Sequence, residues 1–344
     1  MTVKFFKAIL ILPLCAAAIT SCKDDEETEV LPSLTGNLTL NYADFEFVDV
    51  GDRTVTFVPS GVTHPEGGAI SYSWQITPDM DSSEKSENED GSYVYTFPDS
   101  LGTYTVNCTA SADGYYSSGI SYYATVVSAT KSLTDMELEG LSSITDDRDG
   151  KTYRITEIGG VSWFCENLKY AGAGTPYSDS EPMSDIFGRF YTFNELENVC
   201  PDGWSVPSEE DWTALAKALW EPDHQDPENP GSALVPDTEE EYFNGIAGKL
   251  MVNAKFNTAL LWEMWPAVDI TNESRLAMIP VGIANISGNT RDFSGVNTYA
   301  AFWTSSPDGE DRAFYKYLIC GSPNVYSAAG DISSFAINVR CIRK

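Results

Sequence analysis

The chain has 344 residues, of which 42% are hydrophobic, 12% aromatic and 21% charged, and this is the composition of about two folded domains rather than of a disordered protein. Its formal net charge is −30 at pH 7. A surface this acidic repels phosphate backbones and anionic membrane surfaces, which argues against nucleic acid as a partner and also against polyanionic ligands such as sulfated glycans. Charge therefore favours a neutral or cationic ligand; the alternative is that the acidity only keeps the protein soluble.

The first 21 residues have the pattern of a secretory signal peptide. Lys4 and Lys7 supply its positive start, and the apolar run at 8–18 is too short to span a bilayer stably. Ala18-Ile19-Thr20-Ser21-Cys22 resembles a bacterial lipobox, which predicts a lipoprotein with lipidation at Cys22. The alternative is an ordinary cleaved signal followed by an incidental cysteine.

Segment 22–34 lacks apolar periodicity and is predicted to be a tether. Its start, Lys23-Asp24-Asp25-Glu26-Glu27, resembles the acidic export tag of Bacteroidota surface lipoproteins. The resemblance implies an outer-membrane protein that faces outwards and contacts the membrane through a lipid anchor.

Residues 35–128 contain short alternating apolar runs separated by turns rich in Pro, Gly and Asp, which predicts an antiparallel β-sandwich with Trp74 as its buried tryptophan. Segment 99–106 resembles the hairpin entry of PKD-type immunoglobulin-like modules. Cys108 has no second cysteine within this sandwich, so we expect a buried free thiol. The predicted strands lie at 55–58, 70–76, 93–97, 104–110 and 122–127.

A polar segment at 129–145 is predicted to be a linker to a second domain at 146–344. Residues 146–168 begin that domain with a charged Asp-Gly turn, a strand, a Gly-Gly turn and a second strand, which is the pattern of a hairpin. Its clustered acids lack the ligand spacing of a calcium loop.

The segment at 199–219 predicts a helix start. Ser208 is a good N-cap, Asp211 stands where a capping-box acid would, and apolar residues from Trp212 onwards repeat at helical spacing. The last residues, 337–344, predict one alternating strand. We predict a disulfide between Cys200, just before the helix, and Cys341, in that strand.

Seven short motifs, in order along 146–344, resemble the Fibrobacter succinogenes major paralogous domain. The resemblance implies an α+β, C-type-lectin-like fold with two helices and several short strands. Cys165 and Cys320 depart from the family pattern, and whether they pair with each other stays open. The motifs lie at 149–153, 158–163, 166–168, 188–193, 200–208, 302–306 and 338–343.

Catalytic patterns are weak throughout the sequence. The two histidines, His64 and His224, stand beside no candidate nucleophile, and no carboxylate pair stands out. A sulfatase-activating cysteine pair at Cys165 and Cys320 is a less economical interpretation than disulfides or core thiols. The ligand motifs of calcium-binding lectins are missing. We therefore expect no enzyme activity, no metal and no other cofactor.

A binding hypothesis rests on Trp262 and Trp265, whose indoles would stack on the apolar face of a sugar ring. Arg275 and three further polar residues would line the rim of such a site. The alternative is that both tryptophans belong to the core. The rim candidates carried forward are Asp269, Asn272 and Arg291.

Two tyrosines add to this hypothesis. Residues 314–320 alternate, with Tyr315 on one face of a predicted strand, and Tyr326 follows shortly after. Such a strand is commonly structural, yet the lectin-like resemblance places Tyr315 and Tyr326 where ligands bind in those folds.

These observations predict a cell-surface lipoprotein that captures neutral polysaccharide, with β-glucan as the first candidate, for uptake through an outer-membrane transporter. The alternative is an adhesion or structural module that binds a protein partner.

Overall fold

The computed structural model describes residues 30–79, 84–219, 234–236, 241–243, 245–263 and 268–344. The chain divides into two compact units, Met1–Ser128 and Ala129–Lys344. The predicted signal peptide, Cys22 and most of the predicted tether lie outside the described residues. In the part of the chain that the structure describes, no helix is long and apolar enough to cross a membrane.

Both units consist mostly of β-strands arranged in several sheets. The N-terminal unit contains a four-stranded sheet in the order β2-β9-β8-β5, a three-stranded sheet in the order β3-β7-β6, and the pair β1-β4. Its strands are β1 Thr35–Thr39, β2 Phe47–Asp49, β3 Thr54–Phe57, β4 Ser60–Thr63, β5 Ser71–Thr77, β6 Lys85–Glu87, β7 Tyr93–Thr96, β8 Gly102–Ser111 and β9 Ser118–Val127.

Strand alternation builds the core of this unit. On β8, Tyr104, Val106, Cys108 and Ala110 are buried and the residues between them are partly exposed. The two larger sheets contribute to one hydrophobic cluster, in which Phe57 from β3 and Val106 from β8 are both buried. The sheets are therefore packed against each other, and the predicted strands are confirmed to within a few residues.

Cys108 is a buried free thiol, as predicted. Burial raises its pKa to about 12, so it is protonated and inert at neutral pH. Trp74 is only partly buried, because β5 is the edge strand of its sheet.

The C-terminal unit has one long helix, two short ones and many short strands. Its elements are β10 Leu133–Thr134, β11 Ser142–Thr145, β12 Thr152–Ile158, β13 Val161–Phe164, β14 Thr175–Pro176, α1 Ser184–Phe187, β15 Arg189–Thr192, α2 Glu209–Leu219, β16 Leu234–Pro236, β17 Glu241–Phe243, α3 Ala247–Leu250, β18 Lys255–Phe256, β19 Ala259–Leu260, β20 Val281–Ser287, β21 Thr290–Val296, β22 Tyr299–Pro307, β23 Arg312–Ile319, β24 Val325–Asp331, β25 Phe335–Ile337 and β26 Ile342–Arg343.

The largest sheet of this unit has ten strands in the order β14-β15-β25-β20-β22-β23-β24-β17-β16, with β21 paired to β20 beside that path. One face of its central strands packs on α2 and α3, where Phe302 and Leu318 join Trp212 and Leu250 in one cluster. The opposite face carries Trp303 and packs with the two cysteines of the disulfide. The central strands therefore have different neighbours on their two faces.

Helix α2 begins as the sequence predicts. The Ser208 backbone N–H donates to Asp211 Oδ2 over 2.9 Å, and the Asp211 N–H donates to Ser208 Oγ over 3.3 Å. These reciprocal hydrogen bonds form the capping box. Trp212, Leu215 and Ala216 are buried on the face that meets the sheet.

The predicted disulfide is confirmed. Cys200 and Cys341 are bonded, with their Cα atoms 5.9 Å apart and a sequence separation of 141. Arg148 fixes the segment just before Cys200, because its guanidinium donates to the carbonyls of Asn198 and Val199, each over 2.8 Å. The bond therefore joins two ordered parts of the chain.

Two predictions about the chain path are wrong. The segment 129–145 is not a free linker, since β10 pairs with β18 and β11 pairs with β12 inside the C-terminal unit. The last residues do not form one strand either. Strand β25 belongs to the ten-stranded sheet and β26 pairs with β13 in another, because Arg340 turns into the core between them.

Arg340 is fully buried and has four acceptors around it. Its Nε donates to Asn167 Oδ1 over 2.8 Å, and its terminal nitrogens donate to the carbonyls of Phe164, Leu276 and Ala277. Burial lowers its pKa to about 10, so the guanidinium stays charged at neutral pH. It ties three separate stretches of the chain together.

Candidate functional site

Trp262 lies in the core, which contradicts its predicted role as a surface platform. Its side chain is 2% exposed and packs in the same cluster as Trp163 and Trp212. Its indole N–H donates to the Met278 carbonyl over 3.1 Å. Both the ring and its polar atom are already satisfied inside the protein, so this indole cannot stack on a ligand. Trp265 lies outside the described residues.

Asn272 is also structural rather than part of a binding rim. It is 2% exposed, its amide donates to Glu137 Oε2 over 3.1 Å, and its Oδ1 accepts from the Ala277 N–H over 3.0 Å. Its φ of 50° lies in the left-handed region, which asparagine tolerates better than most residues. The prediction that Asn272 contacts a ligand is therefore wrong.

The charged candidates of the predicted rim lie on different elements. Arg291 is on β21 and forms an ion pair with Asp179, 3.3 Å away. Asp269 is exposed and follows the core tryptophan region, in a stretch whose backbone hydrogen-bonds to Gly248 of α3 through Thr271. Neither residue lies on β23 or β24, the strands that carry the predicted tyrosines.

Tyr315 and Tyr326 do lie together, on the face of the sheet opposite to α2. Between them is Tyr317, which stands directly opposite Tyr326 in the pairing of β23 with β24. The rings of Tyr317 and Tyr326 are stacked, with centroids 5.2 Å apart and planes 18° from parallel. Tyr299 on β22 stacks on the other side of Tyr317, at 4.9 Å and 13°.

We call Tyr299, Tyr317 and Tyr326 the tyrosine row. The row runs across three adjacent strands, and its ring spacing follows the distance of roughly 4.8 Å between hydrogen-bonded strands. All three side chains are partly exposed. Tyr315 lies beside the row, with its ring 5.8 Å from that of Tyr317 and 5.0 Å from that of Phe335.

The face that carries the row has no charged residue on the three strands. Strand alternation and register place only aromatic, aliphatic and glycine residues beside it. The buried ammonium of Lys316 lies on the opposite face and pairs with Glu209 at 2.6 Å. The other face members are Ala301, Trp303, Ala313, Tyr315, Ile319, Ala328 and Gly330.

Stacking decides what the row can do chemically. The rings of Tyr299 and Tyr317 cover each other, as do those of Tyr317 and Tyr326, so the row presents ring edges and phenol groups more than open ring faces. A phenol both donates and accepts a hydrogen bond. Tyr326 already uses this capacity, since its hydroxyl lies 2.8 Å from Ser322 Oγ. The row is thus a neutral strip of hydrogen-bonding groups on an apolar base.

Part of the tyrosine row could be predicted from the sequence. Alternation in 314–320 places Tyr315 and Tyr317 on one face, but it does not reveal which strands lie beside β23. Tyr299 was missed because it precedes the family motif at 302–306, in a segment without alternation of its own.

The two extra cysteines do not pair with each other. Cys165 is a fully buried free thiol, and Cys320 is partly exposed. Burial raises the pKa of Cys165 to about 12. Among the described residues, no group of three or more His, Cys, Asp or Glu side chains is arranged to hold a metal ion.

Residues 156–343 match the model of the Fibrobacter succinogenes major domain, which is more than half of the chain. The chain belongs to the Fibrobacter succinogenes major domain family. Comparison with curated proteins and with solved structures gave no match. The Fibrobacter succinogenes major domain of this chain contains the tyrosine row, the disulfide and the Arg340 network, and its match begins within strand β12.

Proposed function

We propose that this protein captures an uncharged polysaccharide without catalysis, and that the tyrosine row of its Fibrobacter succinogenes major domain is the binding surface. The observation that carries the proposal is three partly exposed tyrosines stacked across adjacent strands, on a face with no charged residue along β22, β23 and β24, in a chain of net charge −30. Acidic residues elsewhere on the protein would repel an anionic polymer, whereas no electrostatic repulsion would oppose the binding of an uncharged one.

Phenol groups match the hydroxyls of a sugar because both donate and accept hydrogen bonds. The apolar ring edges and the neighbouring Tyr315 and Phe335 would meet the C–H groups of the sugar. A polymer offers the same contact many times, so repeated weak binding on a surface carrying many copies gives useful retention. A β-glucan is the first ligand to test.

The proposal also covers the fold of each unit and the cellular location of the protein. We assign the N-terminal unit to PKD-type immunoglobulin-like sandwiches, a proposal supported by two sheets that share one core. We assign the C-terminal unit to C-type-lectin-like folds, on the resemblance of its motifs. A lipidated Cys22 would anchor the protein on the cell surface, where it would present bound polymer to an outer-membrane transporter.

Conservative changes in the row test the proposal. In the full chain, replacing Tyr299, Tyr317 and Tyr326 together by Phe removes three hydroxyls and keeps the stacked rings. We expect affinity for a soluble neutral β-glucan, measured by affinity gel electrophoresis, to fall about tenfold or more. Tyr123→Phe is the matched control, since Tyr123 is 55% exposed on the other unit. Tyr123→Phe should keep the native melting temperature, whereas the triple variant also loses the hydrogen bond between Tyr326 and Ser322 and should melt slightly lower while it stays folded.

Two results would overturn the proposal. The first is the absence of retardation of the full chain across a panel of neutral polysaccharides. The second is equal retardation of the native chain and the Phe variant by a polysaccharide that binds both.

A further inference from the structure

The N-terminal unit has a cleft of about 320 Å³ between the edge strands of its two larger sheets. Edge strand β5 of the four-stranded sheet forms one wall, and edge strand β6 with the turn that follows it forms the other. Along β5, the inward residue Ile76 is buried, whereas Trp74 and Tyr72 are only partly buried. The volume of the cleft is close to the lower end of small-ligand sites, roughly 300 Å³.

The aromatic wall of the cleft is held in position before any ligand arrives. The Trp74 indole N–H donates to the Gly91 carbonyl over 3.1 Å, and the indole stacks on Tyr93 with centroids 5.6 Å apart. Tyr72 lies directly against Gly91, whose φ is 82°, and a Cβ at that position would overlap the tyrosine ring. These contacts fix two aromatic side chains on one side of the cleft.

The opposite rim offers hydrogen-bond acceptors. Glu87 and Glu89 are exposed, and their carboxylates form no ion pair or hydrogen bond with any residue in the described ranges. Asn88 uses its amide N–H to reach Ser92 Oγ over 2.8 Å, which leaves its carbonyl oxygen for a ligand. No Lys, Arg or His lines the cleft. A ligand that fits must therefore bring donors.

We propose that this cleft is a second binding site, and that its ligand is a sugar ring without negative charge. Tyr93 stacks on the Trp74 indole and Phe57 packs beside it, so the apolar face of such a ring would meet Tyr72 and the uncovered part of Trp74. The hydroxyls of the ring would donate to Glu87, Glu89 and Asn88. Hydroxyl-to-carboxylate hydrogen bonds are among the stronger ones that an uncharged ligand can form. The site is separate from the tyrosine row and rests on the proposed function only in the choice of polymer.

A local signal tests the site in the full chain. The Trp74 indole N–H gives an NMR resonance that Trp74→Phe identifies by its loss. We expect this resonance to shift on addition of cellohexaose or laminarihexaose and to stay in place with an oligogalacturonate of similar length. In the double variant Glu87→Gln/Glu89→Gln, the apparent dissociation constant from the same titration should rise about tenfold. Glu66→Gln, an exposed acid of the same unit, is the matched control and should leave it unchanged.

Each failure has its own pattern. A Trp74 resonance that no neutral hexaose moves, that the galacturonate moves equally, or that titrates identically in the double variant overturns the cleft as a sugar site. If retardation by β-glucan persists in that case and depends on the tyrosine row, the proposed function stands without the cleft. If the resonance responds but the Phe variant of the row binds like the native chain, the cleft stands and the row does not.

Discussion

The core between the sheets of the N-terminal unit consists of aliphatic and aromatic side chains, whereas the C-terminal unit also buries a guanidinium, an ammonium and a cystine. In the first unit, Phe57 and Val106 need only apolar neighbours. In the second, Arg340 and Lys316 need exact partners, because a buried charge without them is costly. The stability of the C-terminal unit therefore depends on specific partners for its buried charges. The stability of the N-terminal unit depends mainly on how well apolar side chains fill its core.

The same contrast extends to distance along the chain. In the N-terminal unit, β8 and β9 follow directly in a hairpin and β5 pairs with β8, although β9 also pairs with the more distant β2. In the C-terminal unit, Arg340 bonds to Asn167, and Cys341 bonds to Cys200. Damage to one such contact should loosen distant parts of that unit and leave the other unit unchanged.

Loss of the disulfide should have the largest effect. Cys200→Ser/Cys341→Ser releases a loop of 141 residues in the unfolded chain, and we expect the free energy of unfolding of the C-terminal unit to fall by about 4 kcal/mol. Hydrogen exchange measured by mass spectrometry across a urea series reports each unit separately. Cys320→Ser is the control and should change little. Equal loss of protection in residues 35–128 would contradict the expectation that the disulfide stabilises the C-terminal unit alone.

Replacement of Arg340 should follow closely. Arg340→Met leaves Asn167 Oδ1 and three carbonyls without their donor, and we expect a loss of about 3 kcal/mol in the same unit by the same measurement. Arg343→Met removes a cation that lies over the Trp204 ring at 4.9 Å, and should cost under about 1 kcal/mol. Similar losses for the two variants would show that burial of Arg340 carries no special weight.

Loss of the Asp146 carboxylate, by mutation or by protonation at low pH, should have the smallest of the three effects on stability. Asp146 accepts hydrogen bonds from the Arg148 guanidinium, and this contact lowers the pKa of its carboxyl below 3.8. Its contribution to stability is therefore complete above pH 3.8 and is lost as the pH falls through the lowered pKa. Asp146→Asn should cost the C-terminal unit about 2 kcal/mol at pH 7.

The difference between native protein and Asp146→Asn should shrink below pH 3.8. Urea unfolding at a series of pH values measures it, and the exposed neighbour Asp147 provides the control variant Asp147→Asn. A difference that does not vary with pH would mean that the Asp146 carboxylate contributes through shape alone.

The sequence correctly predicted those features that depend on only a few consecutive residues. The alternation in 104–110 identified β8, and Ser208 with Asp211 identified the start of α2, because a strand face and a capping box each need only a few consecutive residues. The Cys200–Cys341 bond was also predicted, from one cysteine just before the helix and another in the last predicted strand of a domain expected to be exported.

The wrong predictions concern residues whose surroundings come from distant segments. Trp262 is buried because Met278 supplies the acceptor for its indole, and Asn272 because Glu137 supplies one for its amide. The pattern around Arg340 suggested a strand, but three carbonyls from other segments draw this side chain inwards. No single stretch of sequence contains that information. For the same reason the tyrosine row could be recognised only in part.

The cystine also changes how this protein would respond to proteolysis. Strands β20 to β25 all lie between Cys200 and Cys341. A single cut anywhere in that interval gives two pieces that stay covalently attached, so a nicked molecule would keep its mass on a non-reducing gel. Only a reductant would release the C-terminal piece of a molecule cut in that interval, and this piece carries the whole tyrosine row when the cut precedes Tyr299.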